Sequence, residues 1–330
     1  MKKRILSGMR PTGKLHLGHL VGALDNWVKL QEEYSCFFMV ADWHALMSEY
    51  ENTRELRENI IDNTIDWLSA GIDPKKSTLF IQSEIPAHLD LYMIFSCLAP
   101  LGWLERCPTY KEQMREVKQR NLNTYGFLGY PVLQAADILV YKADKVPVGE
   151  DQLPHLELTR EIGRRFNSLY KKAVFPEPKA LLTKVPRLLG IDGRKMSKSY
   201  NNAINLSDSS VVLKEKVSRM FTDPKRIKLV DPGHPDNCNV FSYHSIFVAS
   251  MKEAVRDWCE NAKAGCTECK IRLAEGLLER LAPLHKRRQE LVKDKAEVRR
   301  ILEEGKEKAL EAASRTLGEA KEAMQAWVIK

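Results

Sequence analysis

The chain has 330 residues, of which 44% are hydrophobic and 29% charged, and a formal net charge of +8. That length supports about two domains with a large buried core, and the composition is that of a globular protein, not a disordered or fibrous one. No run of about 18 apolar residues occurs, which argues against a membrane span. The apolar stretch behind Met1-Lys2-Lys3-Arg4 is too short for a secretory signal, so a cytoplasmic location is expected. Excess positive charge suits a polyanion such as RNA. Seven cysteines without a secretory signal argue against a disulfide framework.

Ile5-Leu6 reads as a buried strand, and Leu20, Leu24, Trp27, Val28 and Leu30 as the apolar face of a helix. Between them lies Arg10-Pro11-Thr12-Gly13-Lys14-Leu15-His16-Leu17-Gly18-His19. A strand that turns through glycine into a helix presents backbone N–H groups to phosphate. Gly13 lets the chain turn, and Gly18 lets a ligand approach the backbone. His16 and His19 share one face of the first turn and can donate to phosphate oxygens.

Residues 36–42 form an apolar run that ends in Asp42, with His44 close behind. Residues 53–70 have a helical pattern stopped by Gly71 and Pro74. Thr78-Leu79-Phe80-Ile81 reads as another buried strand, and 88–104 as apolar helix. These are βαβ units, which predict a mostly parallel sheet with ligands at the carboxyl ends of its strands. Residues 105–128 read as a solvated connection, with Lys111 kept as a candidate for the ligand. Residues 130–142 form an apolar helix with Asp137 in its interior. Tyr130, Gln134 and Asp137 are spaced i, i+4, i+7 and share a face. Such a stripe is either ligand-facing or a hydrogen-bond network within the core.

A short strand, Val146-Pro147-Val148, ends in Gly149-Glu150-Asp151-Gln152, where Asp151 or Gln152 can accept from ribose hydroxyls. A helix follows from Leu156 to Phe166, and 174–194 is irregular and Pro-rich. Lys195-Met196-Ser197-Lys198-Ser199 then sets two cations three residues apart among hydroxyls, a phosphate-handling loop. Residues 207–221 begin a helical domain, and the tail from about 240 onward reads as helical, broken near Gly265 and at Pro283, with Leu273, Leu277, Leu278 and Leu281 on one face. Residues 286–323 read as a mostly solvated helix pair. Cys238-x20-Cys259-x6-Cys266-x2-Cys269 gathers four thiols that can ligate one centre, either a four-thiolate zinc or a 4Fe–4S cluster.

His16-Leu17-Gly18-His19 with Lys195 to Ser199 resembles the paired HIGH and KMSKS motifs of class I aminoacyl-tRNA synthetases. Residues 71–87, 131–141 and 146–152 resemble the tryptophanyl members of that class, and the resemblance covers most of 4–225. It implies an α/β fold, a Rossmann-like doubly wound parallel sheet over 1–206, followed by an all-α domain over 207–330 that reads the anticodon. It implies ligation of tryptophan to tRNA(Trp) through an adenylate, with ATP and Mg2+, in a homodimer.

By the same resemblance His16, His19, Lys111, Lys195 and Lys198 handle the phosphates. Arg10 (where many members carry Gln), Pro11, Thr12, Gly18, Gly149, Glu150, Asp151, Gln152, Leu188, Met196, Ser197 and Ser199 border ATP. Asp137 accepts the indole N–H. Leu6, Gly8, His44, Val146 and Val148 wall the ring, and Tyr130 and Gln134 hold the α-ammonium group. A subset of the family carries a 4Fe–4S cluster on a four-cysteine pattern whose first gap is x22, against x20 here. Because Tyr130-x3-Gln134-x2-Asp137 also resembles the tyrosine-binding stripe of tyrosyl-tRNA synthetase, tyrosine is the runner-up substrate. A non-catalytic nucleotide- and RNA-binding regulator with a redox-sensing cluster is the second alternative.

Overall fold

The computed structural model describes residues 2–108, 110, 111, 122–182, 188–194, 196 and 200–325. Among these, the strands are β1 (Arg4–Met9), β2 (Ser35–Val40), β3 (Ser77–Ile81), β4 (Lys145–Val148) and β5 (Lys179–Leu182). They form one parallel sheet in the order β3-β2-β1-β4-β5. The expected doubly wound parallel sheet is therefore present. Its strand order reverses between β1 and β4, and a crevice opens at the carboxyl ends there. β5 lies inside the stretch expected to be irregular. Its four residues, flanked by prolines, carry too little alternation to read as a strand.

Side-chain alternation gives the sheet two apolar faces. Ile5, Phe38, Val40 and Leu79 face one core, and Leu6, Phe37, Met39 and Phe80 the other. On the first face, α1 (Leu17–His19) continues through a π-helical turn, Leu20–Leu24, into α2 (Asp25–Glu33). α3 (Asp42–Glu49) follows β2, and α4 (Leu56–Ser69) also packs on the first face. The second face carries α5 (Ala87–Ser96), α6 (Leu101–Glu105), α7 (Tyr125–Val140) and α8 (Leu153–Leu169).

The helical region comprises α9 (Ser210–Ser218), α10 (Asn239–Phe247), α11 (Lys252–Glu260), α12 (Cys266–Lys293) and α13 (Lys295–Met324). Its apolar residues Leu213, Leu273, Leu277 and Leu281 join the same core as Ile5 and Leu24, so that core is continuous across residue 206. α12 runs through Pro283, where a break was expected. Burial of Leu277, Leu281 and Leu284 holds the helix together against the one backbone hydrogen bond that proline removes. α13 also differs from its expected solvated form. Val298, Ile301 and Leu302 enter the first core, whereas Ala309, Ala313, Leu317 and Ala320 enter the second. The helix therefore crosses the open edge of β3 from one face to the other. The crossing falls at Gly305, where a Cβ would meet Leu79 O at 1.7 Å.

Candidate active site

A cavity of about 410 Å³ opens at the β1/β4 switch point. Among its lining are Asp137, Gln134 and Tyr130 from α7, so the polar stripe on that helix faces a cavity. Asp137 is 2% exposed. His44 Nε2 lies 2.8 Å from its Oδ2, His88 Nδ1 2.6 Å from its Oδ1, and Gln82 Nε2 donates to both oxygens at 2.8 and 3.0 Å. Burial alone would raise this carboxyl, but hydrogen bonds from His44 and His88 outweigh it and hold the group down to about 2. His88 Nε2 continues to the buried Tyr141 hydroxyl at 2.8 Å. The carboxylate is thus fixed in orientation by side chains from three other elements or their flanks.

Leu6, Gly8, Val146 and Val148 also line this cavity, as do Arg10, His44, Gly149 and Gln152. A second polar chain runs along its wall. Tyr130 Oη is 2.8 Å from His155 Nε2, and His155 Nδ1 is 2.9 Å from Gln152 Oε1. Arg10 Nη1 reaches Ser48 Oγ at 3.4 Å.

The phosphate-type turn is built on its two histidines. His16 caps α1, its Nδ1 accepting from Gly18 N at 3.1 Å, while His19 Nδ1 accepts from His16 N at 3.1 Å. A ring nitrogen that accepts carries no proton, so each neutral imidazole bears its proton on Nε2. The rings lie 3.9 Å apart between centroids. A Cβ on Gly18 would stand 2.9 Å from His16 Cε1, so the glycine also makes room for the imidazole. Gly13, at φ 128°, supplies the turn.

The turn is stitched to the chain that follows the lysine loop. Leu17 N donates to Ile204 O at 3.0 Å and Leu206 N to Leu15 O at 2.9 Å. Met196 Sδ would lie 3.5 Å from a Cβ on Gly18. Lys195, Ser197, Lys198 and Ser199 lie outside the described residues. His16, His19, Pro11, Thr12, Gly18, Glu150, Asp151, Leu188 and Met196 are not lining residues of the cavity, and neither is the exposed Lys111.

Cys238, Cys259, Cys266 and Cys269 line one small separate cavity with Arg226 and Trp258. Burial, then the neighbouring thiols, raise the Cys269 thiol to about 12. Among the described residues, no three His, Cys, Asp or Glu side chains are arranged to hold a metal ion. His244 Nε2 stands 3.6 Å from Cys269 Sγ.

Gln82, His88 and His155 were missed in the sequence. Gln82 had a signal, because it directly follows β3 at the carboxyl edge of a parallel sheet. His155 lies three residues beyond Gln152 and so shares its helical face. His88, one histidine in an apolar helix, had none.

The family model of class I tRNA synthetases (W and Y) matches residues 1–282. The chain belongs to that family of class I synthetases, and within it falls with the tryptophan–tRNA ligases. The Tryptophan–tRNA ligase of Thermotoga maritima is 52% identical over 324 residues, spanning 97% of this chain and 98% of its own. That of Aquifex aeolicus is 45% identical, over 97% of this chain and 99% of its own. Among solved structures, tryptophanyl-tRNA synthetase from Campylobacter jejuni, complexed with ADP and tryptophan, superposes with a TM-score of 0.88 at 33% identity. The match covers 98% of this chain and 99% of that one.

Proposed function

We propose that the protein activates L-tryptophan with ATP and passes the tryptophanyl group to the 3′ end of tRNA(Trp). The observation that carries this reading is Asp137, a fixed carboxylate in a cavity walled by Leu6, Val146 and Val148. It is the charged acceptor offered to the indole N–H, and a side chain without that donor forgoes a charge-assisted hydrogen bond. In the first step a tryptophan carboxylate oxygen bonds to the α-phosphorus and the bond to pyrophosphate breaks. In the second, a ribose hydroxyl of the tRNA attacks the acyl carbon and AMP leaves. Phosphoryl displacement of this kind needs positioning and charge neutralisation more than covalent help. His16 and His19 donate to phosphate oxygens from Nε2, while Lys111, Lys195 and Lys198 follow the charge onto pyrophosphate. Gly149, Glu150, Asp151 and Gln152 border the nucleotide, with Arg10, Pro11, Thr12, Leu188, Met196, Ser197 and Ser199 around it. Mg2+ arrives on the triphosphate, its usual binding mode. Pyrophosphate exchange tests the reading: tryptophan stimulates it strongly and tyrosine hardly at all. Exchange stimulated by tyrosine alone overturns it.

The helical region beyond residue 206 takes the anticodon end of the tRNA, by charge to its backbone and contacts to splayed bases. The four cysteines would hold a structural 4Fe–4S cluster, with zinc as the alternative. Support comes from four thiols drawn from three helices and their flanks onto one cavity, a soft donor set suited to either centre. Such a cluster adds a cross-link between α10, α11 and α12. A brown protein absorbing near about 400 nm supports the cluster; colourless anaerobic protein with stoichiometric zinc refutes it. Homodimerisation follows from the family resemblance and is supported by Leu89, Met93, Leu101 and Tyr125, large side chains left exposed on neighbouring helices. Light scattering on Met93→Lys should show monomer where wild type shows dimer. The protein works in the cytoplasm, where its tRNA is charged.

A further inference from the structure

His155 lies in the first turn of α8 and is 1% exposed. It sits in a hydrogen-bonded chain that links Asp151 to Tyr130. Gln152 Nε2 donates to Asp151 Oδ2 at 2.7 Å, Gln152 Oε1 meets His155 Nδ1 at 2.9 Å, and His155 Nε2 meets Tyr130 Oη at 2.8 Å. The proton order in this chain has one solution. A carboxylate only accepts, so Gln152 turns its amide N–H to Asp151 and its carbonyl oxygen to His155. That oxygen only accepts, so His155 carries its proton on Nδ1. Burial, helped by His44 and opposed by Asp151, holds the ring down to about 4. Nε2 is therefore unprotonated at neutral pH, and the Tyr130 hydroxyl must donate to it.

We infer that His155 is a positioning residue that fixes the polarity of Tyr130, so that its hydroxyl oxygen offers the cavity lone pairs and accepts from the α-ammonium group of the amino acid. A phenolic hydrogen has two in-plane positions, and an unconstrained one would donate into the cavity as readily as it accepted. Committed to His155, it cannot. The Tyr130 and His155 rings also meet edge to face, 5.1 Å between centroids at 73°, which holds the hydroxyl against Nε2. Tyr130, Gln134 and Gln152 all line the cavity beside His155, so the oriented hydroxyl belongs to a residue on the wall of the space a substrate would fill. The inference rests on assigning this cavity to the amino acid.

The test is tryptophan-dependent pyrophosphate exchange on His155→Leu, His155→Gln, Tyr130→Phe and the double variant Tyr130→Phe/His155→Leu. Tryptamine, which has the ammonium but no carboxylate, and indole-3-propionate, which has the carboxylate but no ammonium, serve as competing inhibitors. His155→Leu should raise the KM for tryptophan and the Ki for tryptamine roughly tenfold, the scale of one charge-assisted hydrogen bond. The KM for ATP and the Ki for indole-3-propionate should hold. His155→Gln, whose amide oxygen still accepts from Tyr130, should recover most of the loss. Added to Tyr130→Phe, His155→Leu should cost nothing further, since both act through one oxygen. Equal weakening of tryptamine and indole-3-propionate, or full additivity in the double variant, overturns the inference. If His155→Leu does not fold, His155→Met makes the same comparison. A Tyr130→Phe protein that binds tryptamine like wild type removes the cavity assignment itself, and the role of His155 falls with it. A Tyr130→Phe protein that binds it weakly beside an unaffected His155→Leu removes the role of His155 alone.

Discussion

Arg288 of α12 spans two carboxylates of α4, with Nη2 2.5 Å from Asp62 Oδ1 and Nη1 3.3 Å from Asp66 Oδ1. Asp66 has no exposed surface, and burial raises its carboxyl to about 7 against the pull of Arg288 and Lys14. A carboxyl that holds its proton more tightly when folded favours the folded state at low pH. That stability is lost as pH climbs from the ordinary value of 3.8 through about 7. The buried neutral His155 and His244 have lowered values and act in the opposite sense below about pH 6.5. The comparison with Asp66→Asn isolates the Asp66 contribution. In urea unfolding, wild type should lose roughly 2–3 kcal/mol relative to Asp66→Asn between pH 5 and pH 8. Parallel stability curves for the two proteins would contradict this.

Asp137 has the opposite sign. Its folded carboxyl is held down to about 2, so its contribution is present above the ordinary value of 3.8 and lost as pH falls towards 2. At neutral pH its larger consequence is for substrate. Asp137→Asn keeps the volume but replaces a charged acceptor with a neutral one, and should cost on the order of 100-fold in kcat/KM for tryptophan. The KM for ATP should move little. Pyrophosphate exchange at varied tryptophan and ATP reads both.

Gly18→Ala should damage activity with little change in fold. The added Cβ meets the His16 ring at 2.9 Å, so the imidazole must swing away, and the bond from Gly18 N to its Nδ1 goes with it. On the proposed role of His16 toward the phosphates, misplacing it should cost on the order of 3 kcal/mol in the activation step. Single-turnover formation of tryptophanyl-adenylate measures it, with thermal unfolding as the control for folding.

Gly305→Ala should do the reverse. Here the obstacle is backbone, with Leu79 O at 1.7 Å and Leu79 C at 2.7 Å from the new Cβ. Nothing there can rotate out of the way, so α13 must lift from β3. Overpacking of this kind costs about 3 kcal/mol, visible as a lower Tm, while the KM values of the remaining folded enzyme stay as in wild type.

What could be read beforehand and what could not divide along physical lines. β1 to β4 were legible because strands buried on both faces are continuous apolar runs. The stripe Tyr130, Gln134, Asp137 was legible because helical period alone puts three polar groups on one face of an apolar helix. The polar frame around Asp137 was not. Gln82, His44 and His88 lie 55, 93 and 49 residues from it in the chain, and only the folded sheet brings them together. α13 was misread for another reason. Its buried stripe includes Ala309, Ala313 and Ala320, small side chains that carry weak hydrophobic signal among many charges. Close packing on a strand edge needs smallness, and smallness is what an apolar pattern fails to register.

The crossing of α13 over β3 also bears on how the protein is made. A chain is synthesised from its N-terminus, and domains begin to fold as they emerge. Among the described residues, the last strand of the sheet that carries the cavity ends at Leu182, but the helix covering its β3 edge begins only at Lys295. Through the synthesis of everything between, that edge stands open, and an open edge invites pairing with other chains. A nascent chain stalled before Lys295 would hold a formed His16–His19 turn and an uncovered strand. Folding of α13 is therefore the step that closes the β3 edge of the sheet.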